Sequence, residues 1–442
     1  MQLVHLSLTN FRNFIRLEME FPPGPTLVVG PNAQGKTSLL EAIDYLVAAE
    51  SPRAGSDREL INFLVAREPE AFARIVAEFR RSDRAAHRAS HPEGDPVGDR
   101  AAHRASHPGG DPAGDRPQRI EVRLVAEAPR PEGEARLQKE ILLNGVRRRA
   151  ADLAGQLNAV LFLPDDLRVI EGPPAERRRL LDQTLAQADP VYAGALAEYG
   201  RLLTQRNALL RQAQERLFDA RQLDPWDAQL VDFAVQLIRG RAVALTELER
   251  LAGPIHETLT RGREQLRLAY LPSRLGRSEE GQLRLPIGSE VDWSTLPAAA
   301  IADEVRRALA ASRRDEIDRG VTLVGPHRDD VRFLADGVDL RPYGSRGQNR
   351  TAMISIRLAQ GEWIRERTGE WPVLLLDETL AELDEARRGQ VLERIAAAPQ
   401  AILTAADMNL FPPSFCESAN VWELRGGTLN RVGSTGSVTS NQ

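Results

Sequence analysis

Lys36 closes the run Gly30-Pro31-Asn32-Ala33-Gln34-Gly35-Lys36-Thr37-Ser38, which lies between a β-rich segment at 26–29 and a helix-like segment at 39–49. A G-x-x-x-x-G-K-[ST] spacing between strand and helix is the pattern that cradles phosphates. The glycines let backbone N–H groups approach phosphate oxygens, and the helix N-terminus adds its positive dipole end. In that chemistry Lys36 neutralises the β- and γ-phosphates of a nucleoside triphosphate and Thr37 holds Mg²⁺. A matching acid stands far downstream. Val373-Leu374-Leu375-Leu376-Asp377-Glu378 reads as a buried parallel strand ending in two carboxylates. Asp377 at the strand tip suits the metal, and Glu378 is placed to polarise an attacking water.

A second phosphate-shaped surface precedes that strand. Ser345-Arg346-Gly347-Gln348 leads into a helix expected at 351–365. A Ser-x-Gly-Gln turn at a helix start either binds phosphate or caps the helix. Its position about 30 residues ahead of the paired acids decides for the first, because that is the order of an ABC signature loop and Walker B strand. Ala381-Glu382-Leu383-Asp384 then falls at the D-loop position. In the ABC arrangement such a signature turn closes on a γ-phosphate held by a second protomer, so ATP joins two chains head to tail.

These motifs need a scaffold, and 442 residues allow about two domains. The patterning gives an α/β class: an ABC-type P-loop head at 1–163 and 318–442, with a mainly helical lobe at 164–317 inserted between P-loop and signature. Strands are expected at 72–79, 119–126, 137–143, 321–324 and 331–334. Helices repeat apolar residues at helical spacing from 176 to 252 and again over 299–318. An insertion at 83–117 holds a tandem duplication, AAHRASHPEGDPVGDR at 85–100 and AAHRASHPGGDPAGDR at 101–116. Its Gly, Pro, Asp and Arg content predicts a disordered linker. The linker carries His87, His91, His103 and His107, but a proline after His91 and His107 disfavours a metal-binding helix.

Composition narrows the function classes. The formal charge is −5, so any nucleic-acid surface must be a local patch. Candidate patches are Arg147–Arg149, Arg177–Arg179 and Arg313-Arg314, each of which reads first as a solvated face or a set of internal ion pairs. Aromatic residues are only 5%, which favours contact with a duplex backbone over base stacking. Cys416 is the one cysteine, so disulfide frameworks are excluded and a reducing cytoplasm is expected. No secretory leader or membrane segment is read in the chain. Among 58 basic residues only Lys36 and Lys139 are lysines. Lys36 has its chemical reason; Lys139 reads as incidental.

Several stretches together resemble the RecF family of SMC-like ABC ATPases. They are Leu8–Phe14, Gly30–Ser38, Phe162–Leu167, Gly172–Pro174, Arg177–Asp182, Gly325–Asp330, Ser345–Arg350 and Leu374–Asp384, in the family's order over residues 1 to about 407. The resemblance implies an ATP- and Mg²⁺-dependent homodimer that binds duplex or gapped DNA and hydrolyses ATP slowly as a switch. It also implies work with RecR and RecO to place RecA in recombinational repair and at replication forks. Arg12 and Asn13 become candidates for touching the nucleotide. The duplication is no part of the family pattern. Glu378 stands where many members carry Asp, and Thr404 stands in for the switch histidine of transporter ATPases. The alternative is an SMC-like scaffold that ATP switches onto protein partners. A transporter subunit would have a shorter gap between P-loop and Walker B, and a chromosome-organising SMC protein would need far longer heptad arms.

Overall fold

The computed structural model describes residues 1–68, 70–81, 117–126, 137–215, 218–273, 275 and 291–432. The tandem duplication, expected as a disordered linker, lies outside the described residues. The chain forms two compact units, residues 1–153, 157–162 and 364–442 in one and 154–156 with 163–363 in the other.

In chain order the first unit opens with β1 (Gln2–Phe11), β2 (Phe14–Glu20), β3 (Thr26–Val29) and α1 (Lys36–Ala48). It continues through β4 (Phe72–Arg80), β5 (Gln118–Ala126), β6 (Leu137–Leu143), β7 (Val146–Arg148) and β8 (Ala159–Phe162). The second unit supplies α2 (Pro174–Ala188), α3 (Pro190–Glu215), α4 (Asp224–Thr260), β9 (Leu266–Leu271), α5 (Ala298–Arg319), β10 (Asp330–Ala335), β11 (Val338–Asp339) and α6 (Arg346–Thr368). The chain then returns with β12 (Val373–Asp377), α7 (Glu385–Ile395), β13 (Ala401–Ala405), β14 (Asn420–Arg425) and β15 (Thr428–Arg431).

Two six-stranded sheets build the first unit, and α1 packs on strands of both. One is antiparallel, in the order β2-β1-β4-β5-β6-β7. Its strands alternate apolar and charged residues, so one face is core and the other is wet. On the wet face Glu121 takes hydrogen bonds from Arg74, then Arg123 and Arg119, which hold its carboxyl down at about 2. Arg74, Arg119 and Arg123 on this face are therefore matched by an acid. The other sheet, β15-β14-β3-β13-β12-β8, places the parallel strands β3, β13 and β12 side by side. Every residue of β3, β12 and β13 is buried, as the unbroken apolar runs require.

Lys139 is not incidental. Its ammonium donates to the Ala49 carbonyl at the C-terminal end of α1 (2.7 Å), pairs with Asp57 (2.7 Å) and lies over the Tyr45 ring. A cation on the last carbonyls of a helix is favourable, so this residue pins the far end of the P-loop helix.

The second unit packs α3, α4 and α5 together and adds a three-stranded sheet, β11-β10-β9. It extends to Trp363, beyond the boundary at 317/318 expected from sequence, because β10 pairs antiparallel with β9 from Asp330↔Leu271 to Ala335↔Leu266. The strand expected at 321–324 does not form. Asn207 accepts from Thr322, and Glu316 accepts from the Leu323 N–H, so side chains satisfy this backbone in place of a ladder.

A buried polar network fills the unit's centre. Arg241 grips Asp182 through two bonds of 2.8 Å and gives a third to the Pro326 carbonyl (2.6 Å). Asp329 accepts from Tyr270 and from the Ser273 N–H. His327 is held at both ring nitrogens by hydrogen bonds within the unit. The Thr322 carbonyl can only accept, so Nε2 carries the proton and Nδ1 accepts from Tyr199 (2.7 Å).

Burial lowers His327 to about 4 and raises Asp329 to about 6. The unfolded His takes its proton first, so its contribution is full above pH 6.5 and is lost as pH falls towards 4. Protonated Asp329 favours the fold below pH 3.8, and that contribution is lost as pH rises through 6. From pH 4 to 6 the two slopes oppose, each about 1.4 kcal/mol per pH unit at most. In His327→Gln only the Asp329 slope remains. Relative to the unsubstituted chain, that variant should gain stability as pH falls from 6 to 4, read from denaturation midpoints at several pH values. A constant difference across the window would refute the opposition.

Candidate nucleotide site

The P-loop joins β3 to α1 and is held by neighbours on every side. Ala33 (φ 64°) and Gly35 (φ 109°) turn the backbone left-handed ahead of the helix. A Cβ on Gly35 would sit 2.3 Å from Asn13 Nδ2, and one on Gly30 would sit 2.3 Å from the Leu424 carbonyl oxygen. Both glycines are therefore required by close approach. Asn13 donates to the Gln34 carbonyl (2.8 Å), and the Gln34 side chain accepts from the Gly426 N–H (2.6 Å). The turn between β14 and β15 thus braces the loop. Sequence reasoning missed this brace, and its only local signal was the Gly426-Gly427 pair.

Lys36 is buried, with its ammonium 2.7 Å from the Gly30 carbonyl, 2.9 Å from the Pro31 carbonyl and 2.9 Å from a Glu378 oxygen. Thr37 donates to Asp377 at 2.6 Å. The structure thus brings the P-loop and the strand-tip acids together across 340 residues of sequence. Asn32 and Ser38 lie in the same loop and first turn, Asn32 exposed and Ser38 half-buried.

Thr404, on β13, organises both acids. Its hydroxyl donates to Asp377 (2.8 Å) and accepts from the Glu378 N–H (3.2 Å). Burial raises the Asp377 carboxyl above its ordinary value, against the lowering by Thr37 and Thr404. Glu378 has a left-handed backbone (φ 47°) and is one-third exposed. That conformation is costly for a non-glycine residue, and it accompanies a carboxylate set against Lys36. Asp384 is exposed and caps α7 by accepting from the Arg387 N–H (2.9 Å).

Arg12 meets the helix that follows the P-loop. Its guanidinium straddles Glu41 of α1 (2.9 and 2.6 Å) and donates to the Glu59 carbonyl (3.1 Å). Ser51 donates to the same buried carboxylate at 2.6 Å. Of the two residues expected at the nucleotide, Asn13 touches the P-loop and Arg12 is clamped to the helix behind it. The buried acid Glu41 carried no pattern that would have shown this.

The signature candidates belong to the second unit. Ser345 and Gln348 form a reciprocal capping box: the Ser345 N–H donates to Gln348 Oε1 (2.9 Å), and the Gln348 N–H donates to Ser345 Oγ (3.2 Å). Gly347 lies in the first turn of α6, and its carbonyl accepts from Thr351. The turn is therefore a built helix cap, and its exposed hydroxyl side remains open to a further partner.

The arginine clusters separate. Arg177 is buried against Asp330 and three carbonyls, Arg178 donates to the Asp329 carbonyl, and Arg313 pairs with Asp224 and Asp227. Arg147, Arg148 and Arg149 are exposed, Arg147 and Arg149 at 72% and 84%. No helix among the described residues is long and apolar enough to cross a membrane.

Comparison with known proteins places this geometry. The AAA domain family matches residues 5–95. The DNA replication and repair protein RecF of Chloroflexus aurantiacus is 38% identical over 97% of this chain and 99% of its own length. RecF of Bacillus subtilis is 32% identical over 97% of this chain and all of its own. A solved structure of the recombination mediator protein RecF with ATP, in the RecFOR pathway, covers 98% of both chains at 26% identity with a TM-score of 0.76. The ABC-type ATPase fold and the ATP-binding class expected from the motifs are thus shown, and the chain belongs to the RecF family of DNA replication and repair proteins.

Proposed function

We propose that this chain is an ATP-switched DNA clamp of recombinational repair and replication-fork maintenance, acting in the cytoplasm. The observation that carries the reading is the convergence of Lys36, Thr37, Asp377, Glu378 and Thr404 at one loop. Lys36, with the N–H groups of residues 32–38, takes the phosphates of ATP. Thr37 and Asp377 are hard oxygen donors that already meet, which fits a small divalent cation. They would hold Mg²⁺, whose charge neutralises the β- and γ-phosphates. Glu378 orients and polarises the attacking water, and Thr404 keeps both acids in place.

Two chains associate head to tail on ATP, each offering its Ser345–Gln348 turn, with Gly347 and the Asp384 loop, to the other's phosphates. Duplex or gapped DNA is held by that dimer and released after hydrolysis. RecR and RecO are the partners through which RecA is placed on DNA. A switch of this kind turns over slowly, below ~1 per second against the usual enzyme range. The relatives' repair name and the ATP-bound RecF structure lend support to this reading.

The test is DNA-binding anisotropy with no nucleotide, ADP and ATP, on single-strand, duplex and gapped DNA. ATP should tighten duplex or gapped binding, and the affinity should fall steeply with salt. Ser345→Arg should bind ATP normally, yet form no ATP-dependent dimer in sedimentation. If nucleotide changes nothing on any DNA, the protein-partner scaffold replaces the clamp. If the Ser345→Arg dimer persists, the turn has no part in it.

A further inference from the structure

Glu264 lies in the short link between α4 and β9, and its two carboxylate oxygens face different elements. Oε1 accepts from Gln348 Nε2 at 3.1 Å. Oε2 lies 3.3 Å from Nε2 of His256, a fully buried residue of α4. The other ring nitrogen of His256 meets Ser355 of α6 at 3.3 Å. Glu264 is thus anchored from behind while it holds the side chain that braces the Ser345 turn.

The chemistry of the amide makes this hold directional. A glutamine side chain ends in an acceptor and a donor of nearly equal shape. The capping box needs the acceptor, because Gln348 Oε1 receives the Ser345 N–H. A carboxylate can only accept, so it compels the NH₂ of Gln348 towards itself and the oxygen towards Ser345. A flipped amide would set NH₂ against N–H at one end and oxygen against oxygen at the other. No sequence motif marks Glu264, which lies 84 positions from its partner.

We infer that Glu264 is a positioning residue of the signature turn: by fixing the Gln348 amide it holds Ser345 in the geometry that meets the γ-phosphate of a second copy. The part concerning the second copy rests on the dimer reading above. Neither Glu264 nor His256 touches nucleotide in this account.

The experiment uses the full chain and two variants, Glu264→Ala and Glu264→Gln. Glutamine can still turn its own oxygen to Gln348, so it should rescue what alanine loses. The first readout is hydrogen exchange across residues 341–350 without nucleotide. The second is sedimentation with Mg-ATPγS, and the third is ATPγS affinity at the P-loop. Losing a hydrogen bond that fixes a turn changes its opening equilibrium by about ten-fold. Glu264→Ala should therefore speed exchange of the turn about ten-fold or more and weaken nucleotide-driven association by a similar factor. ATPγS affinity should stay within about two-fold, since nothing at the P-loop changes. Glu264→Gln should recover most of the loss in the first two and match the unsubstituted chain in the third.

Unchanged exchange in Glu264→Ala overturns the inference, as does a failure of Glu264→Gln to restore it. Loss of protection throughout the second unit in both variants overturns it too, since Glu264 would then support the fold and not the turn. If the unsubstituted chain shows no association with Mg-ATPγS, the dimer reading fails. The exchange measurement then still decides whether Glu264 positions Ser345.

Discussion

Glu378→Gln is expected to lower phosphate release by about 10²–10⁴-fold, the usual contribution of a positioned general base, while ATP still binds. Glutamine keeps the shape of the side chain and the left-handed backbone that the site already supports at this position. It loses the capacity to take a proton and the charge that pairs with Lys36 at 2.9 Å. The second loss has its own consequence. A γ-phosphate must draw the Lys36 ammonium away from the Glu378 carboxylate, so the acid competes with the ligand for one cation. Removing that competition should tighten ATP binding several-fold, a change of about 1 kcal/mol for a partly exposed pair. The two effects separate cleanly in phosphate-release kinetics and equilibrium titration. Equal turnover in variant and unsubstituted chain would show that Glu378 is not the base. Weaker ATP binding in the variant would show that the ion pair is no competitor.

The nucleotide site was legible in the sequence because its parts are short runs with fixed spacing. The P-loop demands glycines at 30 and 35, and the structure shows why: each lies against another chain segment at a distance no Cβ could occupy. The Walker B strand was legible because a central parallel strand must be apolar throughout, and Val373–Leu376 is. What stayed hidden were contacts between residues remote in sequence. Arg12 is a nucleotide candidate by the family resemblance, and nothing in the sequence shows that its guanidinium also meets Glu41, 29 positions away. Lys139 looked incidental because its partners, Ala49 and Asp57, sit 90 and 82 positions away. The placement of β10 in the second unit was not legible, because its pairing with β9 is set by register across about 60 residues, not by composition. The Val321–Val324 segment had strand character, but no strand among the described residues pairs with it. Residues Asn207 and Glu316 answered its backbone groups, and nothing in a propensity reports that.

Arg206→Met is expected to destabilise the second unit by about 3–5 kcal/mol, the cost of stranding a buried charge. Arg206 has no exposed side-chain surface, and neither has Glu316, to which it is bound at 2.7 Å. It also holds Asp227 (2.7 Å) and Thr322 (2.8 Å). Asp227 keeps a second cation in Arg313, at 2.7 Å. Glu316 has no such reserve among the described contacts. Without Arg206 its carboxylate retains only the Leu323 N–H, at 2.8 Å. Methionine fills much of the volume, so the loss is electrostatic and not a cavity. The double variant Arg206→Met/Glu316→Leu removes both charges and should recover most of the stability, because well-packed apolar pairs replace buried ion pairs at little cost. Denaturant midpoints of the two variants measure this, with ATP affinity at the P-loop as the control that stays constant. Arg206, Arg177 and Arg241 are charged residues whose work is internal, so charge in the sequence overstates what this chain offers to DNA. A single variant within about 1 kcal/mol of the unsubstituted chain would mean that Glu316 finds water or a proton. The network would then be tolerated and not required.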